Sequence, residues 1–157
     1  MNLAKEIKMK NEFESIRHEA LLNIVRTANL IEKISGAFFG KFNITEAQYN
    51  ILIVLKLEAR PLTQIEIGER LVTSRSNITF LIDRLEYKNY VERQDVEDDR
   101  RIYAIHLTEQ GRRAVEKVEK AYVKKVEEIM TFINGTECKT VSKSLEKLRG
   151  NLHRLEI

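Results

Sequence analysis

Residues 62–108 constrain this chain more than any other part of it. The stretch reads LTQIEIGERLVTSRSNITFLIDRLEYKNYVERQDVEDDRRIYAIHLT, and its apolar spacing passes from helical to extended partway along. Thr63-Gln-Ile-Glu66 is a capping box, in which a threonine and the glutamate three residues later satisfy each other's free backbone amides, so it opens a helix. That helix is short and is expected to pack through Ile65, Ile67 and Leu71. Thr73 or Ser74 then caps a second helix that continues to Tyr87. Within it Ile78, Leu81, Ile82 and Leu85 fall at i, i+3, i+4 and i+7, one apolar face. Arg75, Ser76, Thr79, Phe80 and Asp83 occupy the opposite face. Asn89 stands where a left-handed terminating residue is wanted, a conformation that Asn tolerates. Val91–Gln94 and Ile102–Leu107 are rich in β-formers and alternate with a period of two. Between them Asp95-Val-Glu-Asp-Asp-Arg-Arg101 is too charged to fold back into a core.

Two short helices, a tight turn between them and a hairpin with a charged tip have the order of a winged helix-turn-helix. Such a unit places its second helix in a DNA major groove and its hairpin tip in the minor groove. Ser74, Arg75, Ser76, Asn77 and Thr79 stand at the start of that helix. Short polar side chains and an arginine reach phosphates and base edges. Thr63, Gln64 and Arg84 join them as candidate contacts, Arg84 toward a phosphate or a nearby acid. Bulk charge does not carry this reading. The chain has a net charge of +3, and residues 60–113 hold ten Lys/Arg against ten Asp/Glu. The case rests on where the arginines sit, and the local neutrality favours a rival reading: a winged helix that binds proteins and not DNA.

The flanks of this unit are helical. Residues 11–39 carry Phe13, Ile16, Ala20, Ile24, Ala28, Ile31, Ile34 and Phe38 at steps of three and four, with Gly40 at the expected C-cap. Thr45-Glu-Ala-Gln48 is a further capping box and opens a helix over about residues 46–58, which Pro61 closes off. Thr108 caps a long helix to about Phe132, Asn134-Gly135 ends it, and Thr136 caps a last one. In that last helix Val141, Leu145, Leu148, Leu152 and Leu155 make a coiled-coil-like seam. Apolar stripes on both flanks predict burial against each other or against a second copy, hence a homodimer. The fold class expected is mainly α with a small β-hairpin wing. Residues 1–44 and 109–157 form a dimerisation body, and residues 45–108 a DNA-binding domain.

Other classes find little support. No run of 18 apolar residues can span a bilayer, and the start MNLAKEIKMKNEFE has no apolar signal core. A cytoplasmic protein is expected, and the single cysteine, Cys138, fits a reducing compartment. Cys138 falls in the first turn of the last helix, where a thiol can be activated, but it has no partner cysteine and reads as inert. His18, His106 and His153 are scattered, without the spacing of metal ligands. No nucleophile–base pair or phosphate-binding loop appears, so neither an enzyme nor a cofactor is expected.

The chain resembles the MarR (multiple antibiotic resistance regulator) family of transcription factors. The resembling residues are Thr45–Gln48, Pro61–Gln64, Ile67–Leu71, Ser74–Thr79, Leu81–Leu85, Val91–Arg93, Asp99–Arg101 and Leu107–Thr108, in this order over residues 44–113. The flanking helices match in length and pattern only. The resemblance implies a dimer of winged helices held by interlocked terminal helices, bound to a pseudo-palindromic operator on double-stranded DNA as a repressor. It implies that Arg101 enters the minor groove, that Asp99 helps hold the wing, and that Arg100 lies beside them. It also implies a small-molecule effector between body and winged domain, where Phe38, Phe42 and Tyr49, with Phe39, are the candidates. Their other reading is packed core. Two departures from the family pattern are Asn89 in place of the usual Gly and Val96 where Pro is frequent.

Overall fold

A computed structural model describes residues 2–71, 78–96 and 99–155. Seven helices and three strands follow one another in these residues. They are α1 (Leu3–Glu6), α2 (Ile16–Gly40), α3 (Glu46–Glu58), β1 (Leu62–Thr63), α4 (Gln64–Arg70) and α5 (Ile78–Tyr87). The hairpin β2 (Val91–Val96) and β3 (Asp99–Leu107) and the long helices α6 (Glu109–Met130) and α7 (Gly135–Leu155) complete them. The fold is mainly helical with a small antiparallel sheet in the order β1-β3-β2. Backbone contacts divide the chain into two compact units, Met1–Val115 and Glu116–Ile157.

The first unit is built around α3. Both of its capping interactions form: the Thr45 hydroxyl accepts from the Gln48 amide at 3.2 Å, and the Gln48 side chain accepts from the Thr45 amide at 3.1 Å. Ile51, Leu52 and Leu55 of α3 are fully enclosed with Phe39 of α2, Leu62 of β1, Ile67 of α4, Ile82 and Leu85 of α5 and Ile105 of β3. Each such side chain stabilises the fold by roughly 1.5–3 kcal/mol, so this cluster sets the relative positions of α3, α4, α5 and the hairpin.

Several local expectations are corrected. α2 begins at Ile16 rather than residue 11, behind an extended Ser15, and Phe13 lies ahead of it with its ring edge-on to His18. Gly40 is the last residue of α2, and Asn43, at φ 56°, takes the left-handed conformation. Ile65 is 73% exposed while Ile67 is enclosed. Two residues subtend about 200° of a helix, so a seven-residue α4 cannot turn both inward. The hairpin is longer than its apolar pattern. β3 begins at Asp99, and Leu62–Thr63 adds a third strand against Ile105 and Ala104. Ladder hydrogen bonds need backbone and not apolar side chains, so a charged segment can still pair. Its irregularity shows in the register, which shifts between Asp95, opposite Tyr103, and Val96, opposite Asp99. Asn134, not Thr136, caps α7: its side chain accepts from the amides of Thr136 and Glu137, both at 3.0 Å.

The long helices are amphipathic and largely uncovered. No residue of α7 is buried, and Val141, Leu152 and Leu155 of its seam are exposed. In α2 only Ser35, Phe38 and Phe39 are buried, and Leu21, Ile24, Val25, Leu30, Ile31 and Ile34 are exposed. Among the described residues no helix is long and apolar enough to cross a membrane.

The end of α5 and the start of α6 are joined through backbone. Asn89, at φ 55°, closes α5: its amide donates to Glu86 O at 2.8 Å and the Tyr90 amide to Leu85 O at 2.9 Å, a Schellman closure. The carbonyls of that turn are then taken by the first turn of α6. Thr108 N and Oγ1 donate to Tyr90 O, Oγ1 also reaches Asn89 O at 2.7 Å, and Gln110 Nε2 donates to Lys88 O. Gly111 makes this approach fit, because a Cβ there would lie 2.0 Å from Tyr90 O. Gly111→Ala must therefore displace backbone, and a cost of about 2–3 kcal/mol is expected. The corresponding fall in Tm is roughly 5–10 °C for a chain of this size, measurable by thermal circular dichroism.

Candidate nucleic-acid interface

The helix-turn-helix corner is held by a compact polar network at the start of α4. The Thr63 hydroxyl accepts from the Glu66 amide at 3.2 Å, and Glu66 Oε2 accepts from the Thr63 amide at 2.8 Å. Arg60 Nη2 lies 2.8 Å from Glu66 Oε1 on the other side. The Thr63 amide and then the Arg60 guanidinium hold the Glu66 carboxyl down at about 2. Next along α4, Gln64 Oε1 accepts from Thr79 Oγ1 at 3.0 Å, which ties the first helix of the corner to the outer face of the second. Thr63, Gln64 and Thr79, nominated separately in the sequence, are thus parts of one polar edge.

On α5, Ile82 and Leu85 are enclosed while Thr79, Phe80, Asp83 and Arg84 are exposed, the division that the apolar spacing predicts. Arg84 makes a contact within its own helix. Its guanidinium stacks on Phe80, 4.4 Å from the ring centroid, one turn back on the same helix. Ser74, Arg75, Ser76 and Asn77 lie outside the described residues. The backbone of Asp99, Arg100 and Arg101 runs in β3.

Arg93 of β2 enters the sequence reading only within the Val91–Arg93 motif, with no role of its own, as one of ten cations in a neutral segment. It faces α5 and forms ion pairs with both Asp83 and Glu86, and its amide donates to Glu86 Oε1 at 3.3 Å. Burial opposes its charge, but the hydrogen bond to Asp83 and the two carboxylate charges outweigh this and raise its pKa. The signal available in the sequence was the pairing of acids three apart on one helix with an arginine soon after it.

Phe38, Phe39, Phe42 and Tyr49 form one aromatic cluster, with centroids 5.1 Å apart for Phe38–Phe39 and Phe39–Tyr49 and 5.3 Å for Phe38–Phe42. Phe38, Phe39 and Tyr49 are buried and Phe42 is half-buried. A cavity of about 250 Å³ lies between the α2–α3 turn and α5, and none of these four aromatic residues lines it. Asn43, Thr45, Gln48, Phe80, Arg84 and Lys88 are among its lining residues. Cys138 Sγ contacts Ile133 O at 3.8 Å. Among the described residues no three His, Cys, Asp or Glu side chains are placed to hold a metal ion.

A two-helix corner with a hairpin beside it is a winged helix-turn-helix, and comparison with known proteins narrows the class. Residues 44–103 match the sequence profile of the MarR family. The chain is 30% identical over 125 residues to the HTH-type transcriptional regulator PapX of Escherichia coli, covering 79% of this chain and 76% of PapX. Its fold is similar to that of the organohalide-sensing regulator RdhR in its 2,4-dichlorophenol-bound form, with TM-score 0.80, 19% identity and coverage of 91% and 87% of the two chains. It is also similar to a MarR/EmrR family regulator from Acinetobacter sp. ADP1, with TM-score 0.74, 25% identity and coverage of 89% and 99%. The chain belongs to the MarR family, and its winged helix-turn-helix is that of a DNA-binding transcriptional regulator.

The lowered carboxyl at the corner has a consequence in acid. A carboxylate whose folded pKa lies below its unfolded value of 4.5 contributes its full stability above that value and loses it as pH falls toward 2. Glu66→Gln is therefore expected to flatten the fall in stability between about pH 4.5 and pH 2, read by urea unfolding at a series of pH values. Curves for the two proteins that stay parallel across that window contradict this.

Proposed function

We propose that this regulator is a repressor that binds a pseudo-palindromic operator as a homodimer. The observation that carries the reading is the polar edge in which Gln64 and Thr79 are joined beside the outward face of α5. In this reading α5 enters the major groove. Thr63 and Gln64 approach the backbone from the start of α4; Ser74, Arg75, Ser76, Asn77 and Thr79 read the groove; and Arg84 serves a phosphate. Asp99, Arg100 and Arg101 belong to the wing, with Arg101 toward the minor groove. A dimer seated on a promoter excludes the polymerase by occupancy, the simplest route to repression.

The dimer is favoured by the uncovered stripes. No residue of α7 is buried, and α2 leaves seven large apolar residues exposed. Residues 1–44 and 109–157 are assigned to dimerisation and 45–108 to DNA. Sedimentation at micromolar concentration should give a dimer, and Val141→Glu with Leu152→Glu should give a monomer. A wild-type monomer with intact helicity contradicts the assignment. A small-molecule effector, with Phe38, Phe42 and Tyr49 as its candidate contacts, is favoured by the dichlorophenol-bound regulator of the same fold. No catalytic role is assigned.

The operator should hold two half-sites about one helical turn, roughly 10 base pairs, apart. Affinity should fall steeply with salt, since several phosphates per subunit are neutralised. Arg75→Ala should cost about 1–3 kcal/mol on the operator, as for a bidentate base contact, whereas Arg101→Ala should weaken binding to all sequences. Competition binding against random duplex measures both. No salt-dependent binding to any duplex would favour the rival reading, an adaptor that binds protein.

A further inference from the structure

We infer that Arg93 is a positioning residue that sets the rotation of α5 relative to the wing, and so the aim of its outward face. The inference rests on the DNA-binding reading above. Ile82 and Leu85 hold α5 against the core, but apolar contact is non-directional and constrains distance better than rotation about the helix axis. Arg93 supplies the missing constraint. Its guanidinium takes Asp83 and Glu86, three residues apart on α5, and its own amide takes Glu86 as well. Two attachment points nearly a turn apart fix rotation where one would not. The arginine side chain is 18% exposed and both its terminal nitrogens are engaged. Although it sits in the wing, it is not available to a phosphate.

The geometry also explains why arginine stands there. A planar fork spans two carboxylates at once, whereas an ammonium is a point charge that satisfies them one at a time. Arg93→Lys therefore keeps the charge and loses the brace. A role confined to neutralising two acids near DNA predicts that this variant behaves as wild type.

The test uses the full chain, with the duplex that wild type enriches from a randomised pool and a scrambled duplex of the same composition. Arg93→Lys is expected to lower the ratio of the two affinities about tenfold, as for one lost base contact, with scrambled-duplex binding and circular dichroism unchanged. Glu86→Gln, at a carboxylate 40% exposed, is expected to lower the same ratio and carries the test should Arg93→Lys fail to fold. A ratio close to that of wild type in the folded variants, or equal losses on both duplexes, overturns the inference. If wild type enriches no sequence, the DNA-binding reading fails and the inference falls with it.

Discussion

The winged unit depends on the turn that follows α5. Asn89 closes the helix in a left-handed conformation, and the three carbonyls of Lys88, Asn89 and Tyr90 are used by the first turn of α6. Buried or half-buried backbone acceptors need partners. Here those partners come from Thr108 and Gln110, so β2 and β3 must return the chain to the place where it left α5. The missing side chain of Gly111 lets the two backbones meet. The hairpin is thus bounded at its base by a junction with little freedom, while its register is irregular toward the tip.

A second layer of organisation is polar and lies outside the core. Glu66 is shared by the Thr63 cap and Arg60, Gln64 by Thr79, and Asp83 and Glu86 by Arg93. The neutrality of the segment acquires a meaning from this. Acids that appear to argue against DNA are committed to internal partners and orient the helices, so counting charges misjudges the surface that remains. Exposed pairs of this kind add little stability; their value lies in direction.

Much of this was readable in the sequence because it depends on local chemistry. The capping boxes at Thr45 and Thr63, the inward face of α5 and the left-handed Asn89 each follow from a few neighbouring residues, and the structure has them. What escaped depends on distant partners. β1 is two residues long and exists only because β3 passes beside it. Arg93 gains its role only when β2 folds back on α5. The short helix α1, with Leu3 and Ala4 buried, has too few residues to show a period. Ile65 is illegible for a different reason: a helix of seven residues is too short to display which of two isoleucines faces inward.

The junction after α5 also makes that helix a lever. Ten residues from Ile78 to Tyr87 span about 15 Å, and the fulcrum lies at their C-terminal end, beside α6. A tilt of about 10° at the fulcrum carries the far end through roughly 2.5 Å, close to the length of a hydrogen bond. Small reorientations of the first turn of α6 are therefore amplified along α5 into movements comparable to a hydrogen-bond length at its far end.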